Sequence, residues 1–145
     1  MQVLRRDVRD SAFKILFEQL LRNDPVEELY AIAEEIEDMI INDSVKEMVN
    51  GTMAHLEELD SIIGCYSKSR ELNRIPAVNR TILRIALFEI LYDADTPRRA
   101  AINEAVLLAK EYGYDTDVSF VNGVLGAYDK DHPTEDAAAP AADEA

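Results

Sequence analysis

Along residues 7–22 the polar side chains Asp7, Ser11, Lys14, Glu18 and Arg22 gather on one narrow side of a helical projection. Val8, Ala12, Phe13, Ile15, Leu16, Phe17 and Leu20 spread over most of the remaining circumference. A stripe that wide is buried by more than one neighbour, so the spacing predicts a packed first helix over 8–22, with room to start earlier. Asp24 followed by Pro25 reads as a helix start, and Val26, Leu29, Ala33, Ile36 and Ile40 supply an apolar face behind it. "SVKE" at 44–47 has capping-box form, and Val45, Met48, Val49, Thr52, Leu56, Leu59 and Ile63 carry a third helix to about Gly64. "SRELNRIP" allows a short turn closed by Pro76.

Residues 77–92, "AVNRTILRIALFEILY", are apolar nearly all round, which places that helix at the centre of the core. Pro97 opens the next segment, "INEAVLLAKEYG" is a helix ending at Gly113, and Asp115–Lys130 form the last one. After Asp131 the chain reads "HPTEDAAAPAADEA", an acidic tail without the apolar content to pack. Residues 1–130 are thus expected to form the folded domain and 131–145 a disordered tail. No alternating strand pattern occurs, so the fold class is all-α with six or seven helices. "MVNGTM" at 48–53 faintly echoes "FVNGVL" at 120–125, which suits either two similar helical halves or chance.

The 145 residues suffice for one domain, and no apolar run approaches the length of a membrane span. The first residues are too polar for a signal-peptide core, and the single cysteine, Cys65, cannot form an internal disulfide. A cytoplasmic location is the expectation. Cys65 itself reads as a small buried or half-buried hydrophobe.

The formal charge of −14 is unevenly laid out. Residues 24–60 hold twelve acids and one base, whereas residues 1–22 hold five bases and three acids, and residues 68–99 seven bases and four acids. Arg5, Arg6 and Arg9 lead the chain although cations are disfavoured at a helix N-terminus. Two readings stay open from the residues alone: a basic end aimed at RNA phosphates and unpaired bases, or a frayed terminus pairing with Asp7 and Asp10. Neither a phosphate-binding glycine loop nor a metal or catalytic constellation emerges; His55 and His132 are far apart, and no cofactor is expected.

"RRDVRDSAFKILFE" at the start, "RTILRIALFEIL" at 80–91, "AINEAVLLAKEYG" at 101–113 and "FVNGVLGAY" at 120–128 together resemble the NusB family of transcription antitermination factors. The resemblance covers about residues 5–130. It implies two packed helical subdomains forming one compact domain, with no catalysis. It also implies binding of the single-stranded boxA element of rRNA leader transcripts together with NusE, a small-subunit ribosomal protein. The complex would join the RNA polymerase antitermination machinery and support rRNA transcription.

Carried over residue by residue, Arg5, Arg6 and Arg9 match the family's basic RNA-binding terminus. Phe17 falls near the RNA and partner surfaces, or else simply belongs to the wide buried stripe. Thr116, Ser119 and Phe120 lie in the second RNA-contact region, with Asn122 either a ligand-facing amide or structural. Asn79 and Arg80 fall at the partner surface, Asn79 replacing an acid that relatives often carry. Asn103 and Glu104 of "INEA" read as structural, capping the helix or tying it to a neighbour. Asp7 and Asp10 thin the basic density of the leader. The competing readings are a helical interaction adaptor or homodimer with little RNA binding, and a detached NusB-like domain of an rRNA cytosine methyltransferase.

Overall fold

The computed structural model describes residues 4–36, 39–67 and 71–133. Within them seven α-helices follow one another: α1 (Arg5–Arg22), α2 (Val26–Ala33), α3 (Asp43–Ala54), α4 (Leu56–Tyr66), α5 (Ala77–Tyr92), α6 (Arg98–Tyr112) and α7 (Asp115–Asp131). A 3₁₀ turn at Leu72–Arg74 precedes α5. The greater part of the tail, residues 134–145, lies outside the described residues.

The wide stripe of α1 has two helices to face, packing against α3 on one side and α5 on the other. The apolar α5 takes the central position its composition predicts, touching α1, α3, α4, α6 and α7. Ile82, Leu83, Ile85 and Leu87 lose essentially all solvent contact there. A single contiguous core draws on all seven helices, so any two helical groups share one interior. Gly51 makes the α3–α5 approach possible: a Cβ at that position would stand 2.2 Å from the Phe88 ring.

Several boundaries depart from the sequence expectations. Helix α2 ends at Ala33 instead of running to Ile40. Glu34 and Glu35 follow directly, and acids at a helix C-terminus oppose its dipole. Met39, Ile40 and Ile41 still pack on the core as non-helical chain, held where the Ile40 amide donates to Ser11 Oγ at 3.1 Å. Asp24 makes no cap for α2, whose first turn follows Pro25 directly. The cap of α3 is Asn42, whose side-chain oxygen accepts from the Val45 amide at 2.9 Å, and not Ser44.

The long third helix is in fact two, α3 and α4, broken at His55. Its imidazole stacks on Tyr92 at 4.1 Å and lies near Phe88. Gly113 does not take the left-handed conformation expected of a terminal glycine; its φ is −124°. Its lack of a side chain matters for another reason, since a Cβ there would come within 2.8 Å of Asp117 Oδ2. Cys65 is exposed, on the outward side of α4.

Candidate nucleic-acid interface

Position on α1 decides what the leader does. Arg9 precedes Ala12, Phe13 and Leu16 by three, four and seven residues, which puts it in line with the stripe that enters the core. On α5, Glu89 follows Ile82, Ile85 and Ala86 at the same spacing. Packing α1 against α5 therefore sinks an arginine and a glutamate into the same interface, 6 % and 1 % exposed. They pair at two points, Arg9 Nε donating to Glu89 Oε1 at 2.6 Å and Nη2 to Oε2 at 2.9 Å.

The other two arginines extend this pair outward. Arg5 Nη2 donates to Asp93 Oδ2 at 2.7 Å and lies 3.6 Å from Glu89 Oε2. Arg6 grips Glu104 of α6 with Nε at 3.0 Å and Nη2 at 2.9 Å, and Arg9 Nη1 reaches the same carboxylate at 3.7 Å. The result is an alternating chain, Asp93–Arg5–Glu89–Arg9–Glu104–Arg6, in which three guanidinium groups meet three carboxylates. Glu104 does tie α6 to its neighbour, while Asn103 beside it is exposed.

The hydrogen bonds from Arg6, and then its charge together with that of Arg9, hold the Glu104 carboxyl below its ordinary range against the opposing effect of burial. Burial also raises the Asp93 carboxyl, but Thr96, the Asp95 amide and Arg5 outweigh it and bring the group below its ordinary value.

These pairs replace the expectation that the leader would pair with Asp7 and Asp10. Asp10 instead forms an ion pair with Lys14 at 3.1 Å and accepts from the Tyr112 hydroxyl. They also limit what Arg9 can offer a ligand, because its Nε and Nη2 face a buried acid. The arginines with outward surface are Arg5 and Arg6, whose side chains are 40 % and 69 % exposed.

Two turns along α1 the surface changes character. Phe17 stacks on Phe13 at 5.6 Å, and Phe13 on Tyr112 at 4.6 Å. Phe13, Phe17, Leu21, Met39, Val78 and Tyr112 line an open groove of about 620 Å³, with Lys14, Glu18 and Arg22 at its rim. Phe17 is half-buried in the stripe and lines this groove.

Asn79, expected at a partner surface, is completely buried. Its Nδ2 donates to Asp117 Oδ1 at 3.0 Å, while Asp117 Oδ2 accepts the Tyr114 amide at 2.8 Å. An amide suits this place because it ties the start of α5 to the first turn of α7 without burying a charge beside the Asp117 carboxylate. Arg80 is half-buried and donates to the Ile75 carbonyl at 3.2 Å. On α7, Thr116, Ser119 and Asn122 are exposed at successive three-residue steps, whereas Phe120 is half-buried against the core.

Asp93 and Glu89 were missed by sequence reasoning. A signal existed: a charged residue in register with an apolar stripe on two helices, with opposite signs. No helix among the described residues is long and apolar enough to cross a membrane, and no cluster of ligating side chains in them is arranged to hold a metal.

The NusB family profile matches residues 6–130. Transcription antitermination protein NusB of Desulforamulus reducens is 39% identical over 130 residues, covering 84% of this chain and 87% of that protein. The Alkaliphilus oremlandii protein of the same name is 41% identical over 128 residues, with 86% and 91% covered. Among solved structures, T. maritima NusB superimposes with a TM-score of 0.79 at 30% identity, covering 94% of this chain and 98% of that one. A complex of antitermination factors NusB and NusE with double-stranded RNA matches at 0.77 and 30% identity, over 88% and 97%.

Proposed function

The chain belongs to the NusB family, and from that membership we propose that it is an RNA-binding transcription antitermination factor that works jointly with NusE on the boxA element of rRNA leader transcripts. The observation that carries this reading is the match, over 88% of the chain, to a NusB that is held with NusE and RNA in one complex. In this reading the RNA-contacting cations are Arg5 and Arg6, with Thr116, Ser119 and Asn122 adding polar contacts from α7. Arg9 supports them from below through Glu89.

The same geometry implies that RNA binding is cooperative with the partner. The leader's three cations are matched by three carboxylates, so its long-range pull on a polyanion is small. The groove along Phe13, Phe17 and Leu21 offers a second, apolar surface on the same helix, suited to protein docking. A basic ribosomal protein seated there would extend positive surface next to the leader, and linkage then requires that RNA tighten the protein pair by the same factor.

The test is a titration of boxA RNA, single-stranded and as a duplex, with and without NusE in matched salt. RNA binding at least about tenfold tighter with NusE, a coupling of roughly 1.4 kcal/mol, is the expected result. Equal affinity in both conditions would mean a self-sufficient RNA binder. No RNA binding in either would leave the groove as the functional surface of a protein adaptor or homodimer.

A further inference from the structure

We propose that Asp93 and Glu104 are specificity-determining residues of the leader surface, internal anions that occupy Arg5 and Arg6 and that RNA must displace. This rests on the reading that the leader contacts RNA, and adds what the leader holds when RNA is absent.

The Arg6–Glu104 pair is of the two-point kind by which a guanidinium also holds a phosphate: Nε and Nη2, on one edge, each donate to one carboxylate oxygen, at 3.0 and 2.9 Å. Asp93 presents a single oxygen to Arg5 at 2.7 Å. In both pairs the acid is the fixed member. Asp93 is anchored by accepting from Thr96 Oγ1 at 2.7 Å and from the Asp95 amide at 3.0 Å. Glu104 sits in the α6 stripe beside Ala101 and Ala105, and is 17 % exposed at its side chain. The arginines are the exposed members, and they are the ones free to turn toward a ligand.

Burial grades the chain of pairs by how readily each can be exchanged. Arg9–Glu89 is sealed in the interface, and leaving either ion unpaired there is strongly unfavourable. The outer two pairs are worth little to stability because water already solvates their arginines. A phosphate can therefore take over Arg5 and Arg6 but not Arg9. An arbitrary polyanion gains little from the exchange, since each new ion pair replaces an old one. Base contacts or a docked partner must supply the difference, and that is how the two carboxylates raise the threshold for unspecific RNA.

Affinities of Glu104→Gln, Asp93→Asn and the double variant for an oligouridylate and for boxA RNA, measured over a range of salt, test this. Each single change is expected to tighten oligouridylate binding about twofold to fivefold. The log–log salt slope should steepen by about 0.7 for each arginine released. Adding Arg6→Ala to Glu104→Gln should abolish that variant's gain. Unchanged or weaker binding in the folded variants, with Arg5→Ala/Arg6→Ala still reducing RNA affinity, overturns the inference, makes the carboxylates positioning groups and leaves the RNA reading intact. If Arg5→Ala/Arg6→Ala has no effect on RNA, the leader reading falls and takes the inference with it. Should Glu104→Gln fail to fold, Asp93→Asn decides by the same criteria.

Discussion

At the N-terminal end of α1 every arginine has a carboxylate partner drawn from α5, from Asp93 just after it, or from α6, whereas two turns further on Phe17 and Leu21 border an open groove with only part of their surface covered. One helix thus carries a polar end satisfied from within and an apolar side that is not. A charge count would have ranked them the other way, with the arginines as the unsatisfied feature. Each arginine of the leader is matched before any ligand arrives, so in the proposed reading RNA gains affinity there only by exchange. A protein docked at the groove would gain it from apolar area removed from water, at roughly 25 cal/mol per Å².

Four experiments break or sharpen this contrast. The largest effect is expected from Glu89→Ala, which leaves Arg9 charged and buried without its partner. Breaking a buried pair from one side costs about 3–5 kcal/mol, which urea unfolding reads directly. A loss below about 1 kcal/mol would mean that the pair is as dispensable as a surface one and that the two ends of α1 do not differ. Arg9→Ala, which leaves Glu89 charged and buried without its partner, should likewise destabilise the fold.

Phe17→Ala comes next. Its half-buried ring predicts a cost of about 1–2 kcal/mol, well under the 3–5 typical of a fully buried phenylalanine. NusE binding, followed by calorimetry, should fall by a larger factor than stability does. Equal losses would reduce Phe17 to a core residue. Arg6→Ala should leave the urea midpoint unchanged while lowering RNA affinity; a clear shift in the midpoint would show that the outer pair is structural after all.

The smallest effect concerns pH. Glu104 and Asp93 both have carboxyl groups lowered by folding, so their contribution to stability is complete above the ordinary carboxylate range, around pH 4. It disappears as the pH falls through their lower folded values. Stability of the wild type relative to Glu104→Gln should accordingly be constant from pH 7 to 5 and converge below about pH 4. Convergence already near pH 6 would point to a different group.

Much of the scaffold was legible because local rules and tertiary packing agree there. Pro76 and the apolar run to Tyr92 define α5 at both ends, and Pro97 and Asp115 mark the starts of α6 and α7 within a residue. Where the reading failed, a long-range interaction had overruled a local one. The break at His55 goes with aromatic stacking on a residue 37 positions away, Tyr92. Ile36 and Ile40 fit a helical period, yet the backbone near Ile40 is committed to Ser11 on another helix.

The leader illustrates the same limit at the candidate site. Its arginines and the "INEA" glutamate were both visible, but nothing local says that residues 80 and 98 apart meet. Asn79 was placed at the partner surface by the resemblance to relatives that carry an acid there, and nothing local says that its amide is buried and closes against Asp117.

The groove has a consequence for the protein in concentrated solution. An uncovered apolar trough invites copies of the chain to adhere, and a net charge of −14 opposes that by repulsion. Repulsion is screened as salt rises, with a Debye length of about 30 Å at 0.01 M and about 8 Å at 0.15 M, whereas apolar adhesion is not. Colloidal behaviour and RNA binding therefore respond to salt in opposite senses: added electrolyte weakens the hold on RNA and brings the protein's own molecules closer together, so the second virial coefficient from light scattering should fall over the same range in which RNA is released.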